Sequence, residues 1–146
     1  MSASNALEGK ILSLYFENAD AANIGDATGL RGSTTAGSVY ISLHTSDPGE
    51  TGDQTTNETT YTSYARQAVA RSTAGWTVTS SVADNDAQIA FPTGTGGSGT
   101  VTHFGIGSAV SGAGNRDFNG TCTPNLVVGS GVTPSFAAGA LDVSCD

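Results

Sequence analysis

The chain has 146 residues, the usual size of one domain, and only 12% of them are charged, about half the typical share of roughly 25%. Gly (20), Thr (20) and Ser (17) supply 57 of the 146 residues, so the missing charge has been replaced by small polar side chains. Five Lys+Arg against 13 Asp+Glu give a net charge of −8, which argues against a nucleic-acid partner. No stretch approaches the ~18 consecutive apolar residues of a membrane span, and no basic region followed by an apolar core marks a secretory signal at the N-terminus. Leu, Ile, Val and Phe together number 27, close to a disordered composition, but they recur periodically and net charge per residue is small. The chain therefore reads as a folded domain with a thin core.

Residues 4 to 18 carry the one helical pattern. Asn5 is placed to cap it, with Glu8 three residues on at capping-box spacing. Leu7, Ile11, Leu14 and Tyr15 share one face, and Leu12 and Phe16 widen the stripe. Gly9 weakens such a helix by about 1 kcal/mol relative to Ala, so it must lean on its own domain or on a partner. Residues 19 to 37 have only Ile24 and Leu30 as large apolar side chains and read as a long loop or extended arm.

From residue 38 the period changes to two. Val39, Ile41 and Leu43 alternate with Tyr40, Ser42 and His44, and Asp47-Pro48-Gly49 ends that strand. Residues 50 to 60 form an exposed acidic loop. Further strands are expected at Tyr64 to Ser72, around Trp76 and Val78, and around Ile89 and Phe91, with a turn at Asp84-Asn85-Asp86. Gly94 to Gly99 reads as a flexible hairpin tip, and Thr102, Phe104 and Ile106 alternate after it. Phe118 to Cys122 and Leu126 to Val128 follow as short strands. Val132 to Phe136 and Leu141 to Cys145 close the chain as a pair around Ala138-Gly139. About eight short strands with one N-terminal α-helix define an all-β antiparallel sandwich or barrel. The division expected is a helix and arm over 1–37 and a β-domain over 38–146.

The chemistry-bearing residues are few. His44, Asp47 and one of 17 serines could be drawn as a hydrolase triad, but so many serines make the match empty, and there is no GxSxG elbow. His44 and His103 are better read as hydrogen-bonded strand residues. Asp47, Glu50, Asp53 and Glu58 could gather Ca²⁺, but their spacing is not that of an EF-hand, and a solvated acidic loop is the simpler reading. The glycine-rich segment lacks the Lys-Ser/Thr and helix of a phosphate loop. Asn57-Glu58-Thr59 and Asn119-Gly120-Thr121 match the glycosylation pattern, as Thr-rich chains often do. Arg66, Arg71 and Arg116 are rare cations that can each pair with a carboxylate, with Arg66 and Arg71 of opposite parity. Cys122 and Cys145 either form a disulfide or act as two small hydrophobes; no Cys/His cluster suggests zinc. No catalytic, cofactor or metal-binding residue is assigned, and no enzyme activity is expected.

Five segments, LEGKILSLYF (Leu7 to Phe16), LHTSDPG (Leu43 to Gly49), YARQAV (Tyr64 to Val69), TVTHFGIG (Thr100 to Gly107) and SFAAGAL (Ser135 to Leu141), occur in the order of a known family. The chain resembles, over nearly its whole length, small virion structural proteins of tailed bacteriophages, labelled head decoration or tail fibre proteins. Residues 19 to 37 look longer than the link in many relatives. The resemblance implies a virion component without catalysis. The expected role is a capsid decoration, or cement, protein on the outer face of the head, bridging major capsid protein subunits; an acidic surface and small size suit it. The alternatives are a tail or tail-fibre protein that contacts the host, and a secreted β-sandwich binding module. A homo-oligomer is expected because a thin core gains buried area by association. Leu7, Ile11, Leu14 and Tyr15 are the candidate partner-docking residues, with tail proteins or the major capsid protein as partners. Neither nucleic acid nor membrane is among the expected partners, and assembly is expected in the host cytoplasm.

Overall fold

A computed structural model describes residues 3–22, 24 and 32–145. Leu30 and the middle of the expected arm lie outside the described residues. The chain is all-β with one N-terminal helix, as its periodicity predicts, and the described residues contain nine strands. They form sheets of four, three and two strands, none closed into a barrel. Contacts group into two compact units that interleave along the sequence.

The first unit draws on the described parts of Met1–Ser38, Ala70–Gln88 and Phe136–Asp146. Its helix α1 runs Asn5–Leu12 and continues as a π-helical segment, Ser13–Glu17, which ends on Asn18 in the left-handed region (φ 57°). The cap is Ser4, whose Oγ accepts from the Leu7 amide, so the expected Asn5 cap is off by one residue. Ser and Asn cap equally well, and neighbours of that kind are not separable by type. Leu12 and Phe16 are the fully buried residues, and the Phe16 ring lies 4.4 Å from that of Trp76. Gly9, a weak point for the isolated helix, permits close packing: a Cβ there would stand 2.1 Å from the Ser80 carbonyl oxygen.

The helix packs on β3 (Trp76–Thr79) and β4 (Val82–Asn85), an antiparallel hairpin that turns at Ser80-Ser81 with Ser80 at φ 58°. The turn expected at Asp84-Asn85-Asp86 is instead largely strand. Ser-Ser lacks the Asn-Gly or Asp-Gly signal of a tight hairpin, and the Asp-Asn-Asp run that mimics a turn has a different use for Asn85. Its buried side chain donates to the Ala87 and Ala137 carbonyls (2.7 and 2.9 Å) and accepts from the Ala140 and Leu141 amides (3.1 and 2.9 Å). That draws the 137–141 turn onto β4, so β9 (Asp142–Ser144) pairs with β4 and β8 (Ser135–Phe136) with β5 (Ile89–Ala90). The expected closing pair of terminal strands is thereby corrected.

The arm is also not extended at its described ends. Asn18 bonds the Ser33 amide and carbonyl (2.6 and 2.8 Å), and Asp20 accepts from the Gly32 amide at 2.7 Å, so the loop returns to its own start.

The second unit covers Val39–Val69 and Ile89–Ser135. Its main sheet has the order β2-β1-β6-β7, from β2 (Gln67–Ala70), β1 (Ser38–His44), β6 (Ser98–Gly107) and β7 (Arg116–Gly129). The segments expected as separate strands at Phe118 and Leu126 are one strand, with register shifts against β6. Val39, Ile41, Leu43, Val101, Phe104 and Ile106 build the core. The Gly94–Gly99 segment is no flexible tip. Gly94 donates to the Val132 carbonyl and accepts from Gly131, while Gly96 accepts from Thr62. A Cβ on Gly94 would lie 2.1 Å from the Gly129 carbonyl oxygen, so glycine here allows two backbones to touch.

Candidate functional site

Both faces of β1 are buried at its end, which places polar side chains inside the second unit. Ser42 and His44 have no exposed surface. His44 Nδ1 lies 2.8 Å from the Thr56 carbonyl oxygen, and its Nε2 lies 2.8 Å from Ser42 Oγ. The carbonyl can only accept, so Nδ1 carries the proton and Nε2 accepts from the Ser42 hydroxyl. Burial lowers the His44 pKa, keeping the ring neutral. A Cβ on Gly105, which pairs with Ser42 across the sheet, would stand 2.7 Å from Ser42 Oγ and 2.8 Å from His44 Nε2. Glycine thus clears the space this polar pair occupies.

A second cluster adjoins it along the chain. Arg66, 6% exposed, donates from Nε and Nη2 to the two oxygens of Glu58 (2.7 and 2.8 Å), and also to the Ala109 and Gly112 carbonyls (2.9 Å each). Tyr64 donates to Glu58 at 2.8 Å and accepts from the Leu43 amide at 3.0 Å; burial pushes its phenol pKa up. Two-pronged guanidinium–carboxylate pairing of this kind is both directional and strong. The effect is to tie the 45–66 loop to β1 and to the 108–115 hairpin. Glu58, Tyr64, Ala65, Arg66, Val110, Ser111 and Gly112 line an open depression of about 240 Å³ above the pair.

The acidic loop is organised by hydrogen bonds within the chain. Asp53 accepts from the Thr55 hydroxyl and amide and from the Thr56 hydroxyl, and those bonds lower its pKa. Asp47 accepts from the Gly49 amide, and Glu58 is held by Arg66. Among the described residues no group of three His, Cys, Asp or Glu is arranged to hold a metal. Among the described residues, of the three expected arginine–carboxylate pairs that of Arg66 forms. Arg71 donates to the Leu14 and Tyr15 carbonyls, and Arg116 donates to Asn119 Oδ1 and to the Gly49 and Gly52 carbonyls. His103 bonds its neighbour Thr102 at 2.9 Å. Cys122 and Cys145 are free thiols, and burial pushes the Cys122 thiol up to about 11.

Leu7 is 40% exposed, and Ile11, Leu14 and Tyr15 are half-buried, while Leu12 and Phe16 take the inward positions. No helix among the described residues is long and apolar enough to cross a membrane.

No curated protein matches the chain. A family model matches residues 2–144, and it makes this a virion structural protein of a bacteriophage. The chain belongs to the family described as podophage GP4 fiber I protein gp80.

Proposed function

We propose that this protein is a small structural part of a podophage tail fibre, with no catalytic role. The single observation that carries this reading is the fibre-family match across almost the whole chain. It favours the tail over the head-decoration placement expected from size and charge, because a small acidic β-protein suits either location. The second unit supplies a rigid β-body, clasped by Glu58, Arg66 and Tyr64. Leu7, with the half-buried Ile11, Leu14 and Tyr15 beside it, supplies an apolar face for a neighbouring tail protein or a second copy, since an apolar helical stripe fits helix-in-groove docking.

Gold-labelled antibody against the chain should mark tails in electron micrographs of particles; label spread over the head would overturn the placement. Leu7→Asp, at the exposed position of the stripe, should leave the isolated protein folded, at a cost of about 1 kcal/mol or less, and abolish incorporation into particles. Normal incorporation would remove the helix face from the docking role.

A further inference from the structure

The main sheet of the second unit ends on two unlike edges. One is β2, four residues long and flanked by Arg66 and Arg71. Short length and nearby charge are common protections of an edge against pairing with another chain. The other is β7, fourteen residues from Arg116 to Gly129, and no strand among the described residues lies on its outer side. Alternate residues of such a strand turn their N–H and C=O groups away from the sheet. Asn119, Thr121, Thr123, Pro124, Asn125 and Val127 are exposed along it. Val127, at 65%, is the most exposed large apolar side chain among the described residues.

Charge also sets this edge apart. Residues 87–141 carry Arg116 and Asp117 as their only Lys, Arg, Asp or Glu, so the net charge of −8 lies entirely outside them. From Phe118 to Gly129 the strand has no charged side chain. Two copies of a strongly acidic chain repel, and an uncharged edge lets them meet with the least like-charge opposition. A basic partner would gain no attraction from so neutral a strip. Pro124, which has no N–H, and the register shift between Val101 and His103 divide the edge into two runs, Arg116–Thr121 and Leu126–Gly129.

We propose that β7 is the surface on which a second copy of this chain docks, antiparallel and edge to edge, joining two four-stranded sheets into one of eight strands. A two-fold axis near Pro124 pairs the first run of each copy with the second run of the other and sets Thr121 opposite Val127 of the second copy. Backbone hydrogen bonds supply the affinity, and the symmetry makes every contact twice. The helix face takes no part, and the pairing belongs to the isolated chain wherever the particle carries it.

The test is sedimentation of the purified full chain over a range of concentrations, with amide exchange along β7. The wild type should be a dimer at micromolar concentration, and the β7 amides that do not bond β6 should gain protection as concentration rises. Thr121→Lys with Val127→Lys sets like charges opposite each other in both runs and should weaken the dimer about tenfold or more. Thr121→Lys with Val127→Glu sets opposite charges there and should restore it. Leu7→Asp should leave the dimer unchanged. A monomeric or trimeric wild type would overturn the proposal. So would a dimer that ignores the lysine pair, one that the Lys–Glu combination fails to restore, or one that Leu7→Asp dissolves. Concentration-dependent protection of β7 in the wild type decides the matter even if a variant fails to fold.

Discussion

The two units of this chain secure their loops with opposite chemistry. The second encloses charge: the Arg66 guanidinium is buried against the Glu58 carboxylate, and a neutral imidazole, His44, is buried at the end of β1. The first secures its turn with a buried neutral amide, Asn85, and keeps Asp84, Asp86 and Asp142 on its outward side. Charge-poor composition therefore does not mean charge-free architecture. The few ionic groups are concentrated where one long loop must be held, and they make that unit depend on pH and on each partner being present.

The largest expected effect follows from this. Arg66→Ala leaves Glu58 without its cation and should destabilise the protein by about 3–5 kcal/mol, measured by urea denaturation. Arg66→Lys should recover only part of that loss, because an ammonium cannot reach both Glu58 oxygens and two carbonyls at once. Asn85→Ala comes next. It strands two amides and two carbonyls, and a cost of about 3 kcal/mol is expected; amide exchange should show the loss centred on 137–144. Equal loss of protection throughout the 45–66 loop would break the contrast between the units.

The smallest effect depends on pH. The folded His44 pKa is lowered by burial, so the unfolded chain takes up the proton first. The stability tied to neutral His44 is complete above pH ~6.5 and declines below it, by at most about 1.4 kcal/mol per pH unit. The melting temperature of wild type should fall in mild acid more steeply than that of His44→Gln. Asp84 acts in the reverse sense, because burial and the neighbouring carboxylates raise its pKa and make the folded state the better proton binder. Mild acid should thus weaken the 45–66 loop while favouring the folded strand around Asp84.

Much of the second unit is readable from residues alone. β1 and β6 carry strong aliphatic alternation through Ile41, Leu43, Phe104 and Ile106, and a sustained period of two matches the pleat of a strand and not the turn of a helix. β4 is not readable, because its inward residues are Ala83 and Asn85, a small side chain and a typical turn former. The true turn, Ser80-Ser81, carries no glycine or asparagine. Asn85 as a buried hub has no local signature; its four partners come from other parts of the chain or from past the strand's end. Glu58 and Arg66 each stand out in the sequence, but their union depends on a loop path that spacing does not encode. The one available clue is scarcity, since five cations among 146 residues make a well-placed arginine conspicuous. The glycines mislead in the other direction. Gly9, Gly94 and Gly105 are clearances for close packing, not signs of looseness. The helix itself is legible because its apolar residues recur at helical spacing from Leu7 to Phe16.

The central claim is that this chain is a fibre component of the virion. Counting its copies in purified particles by quantitative mass spectrometry, against tail and capsid proteins, tests it most directly. The account predicts a small copy number in constant ratio to the tail proteins. A copy number that tracks the major capsid protein would contradict it.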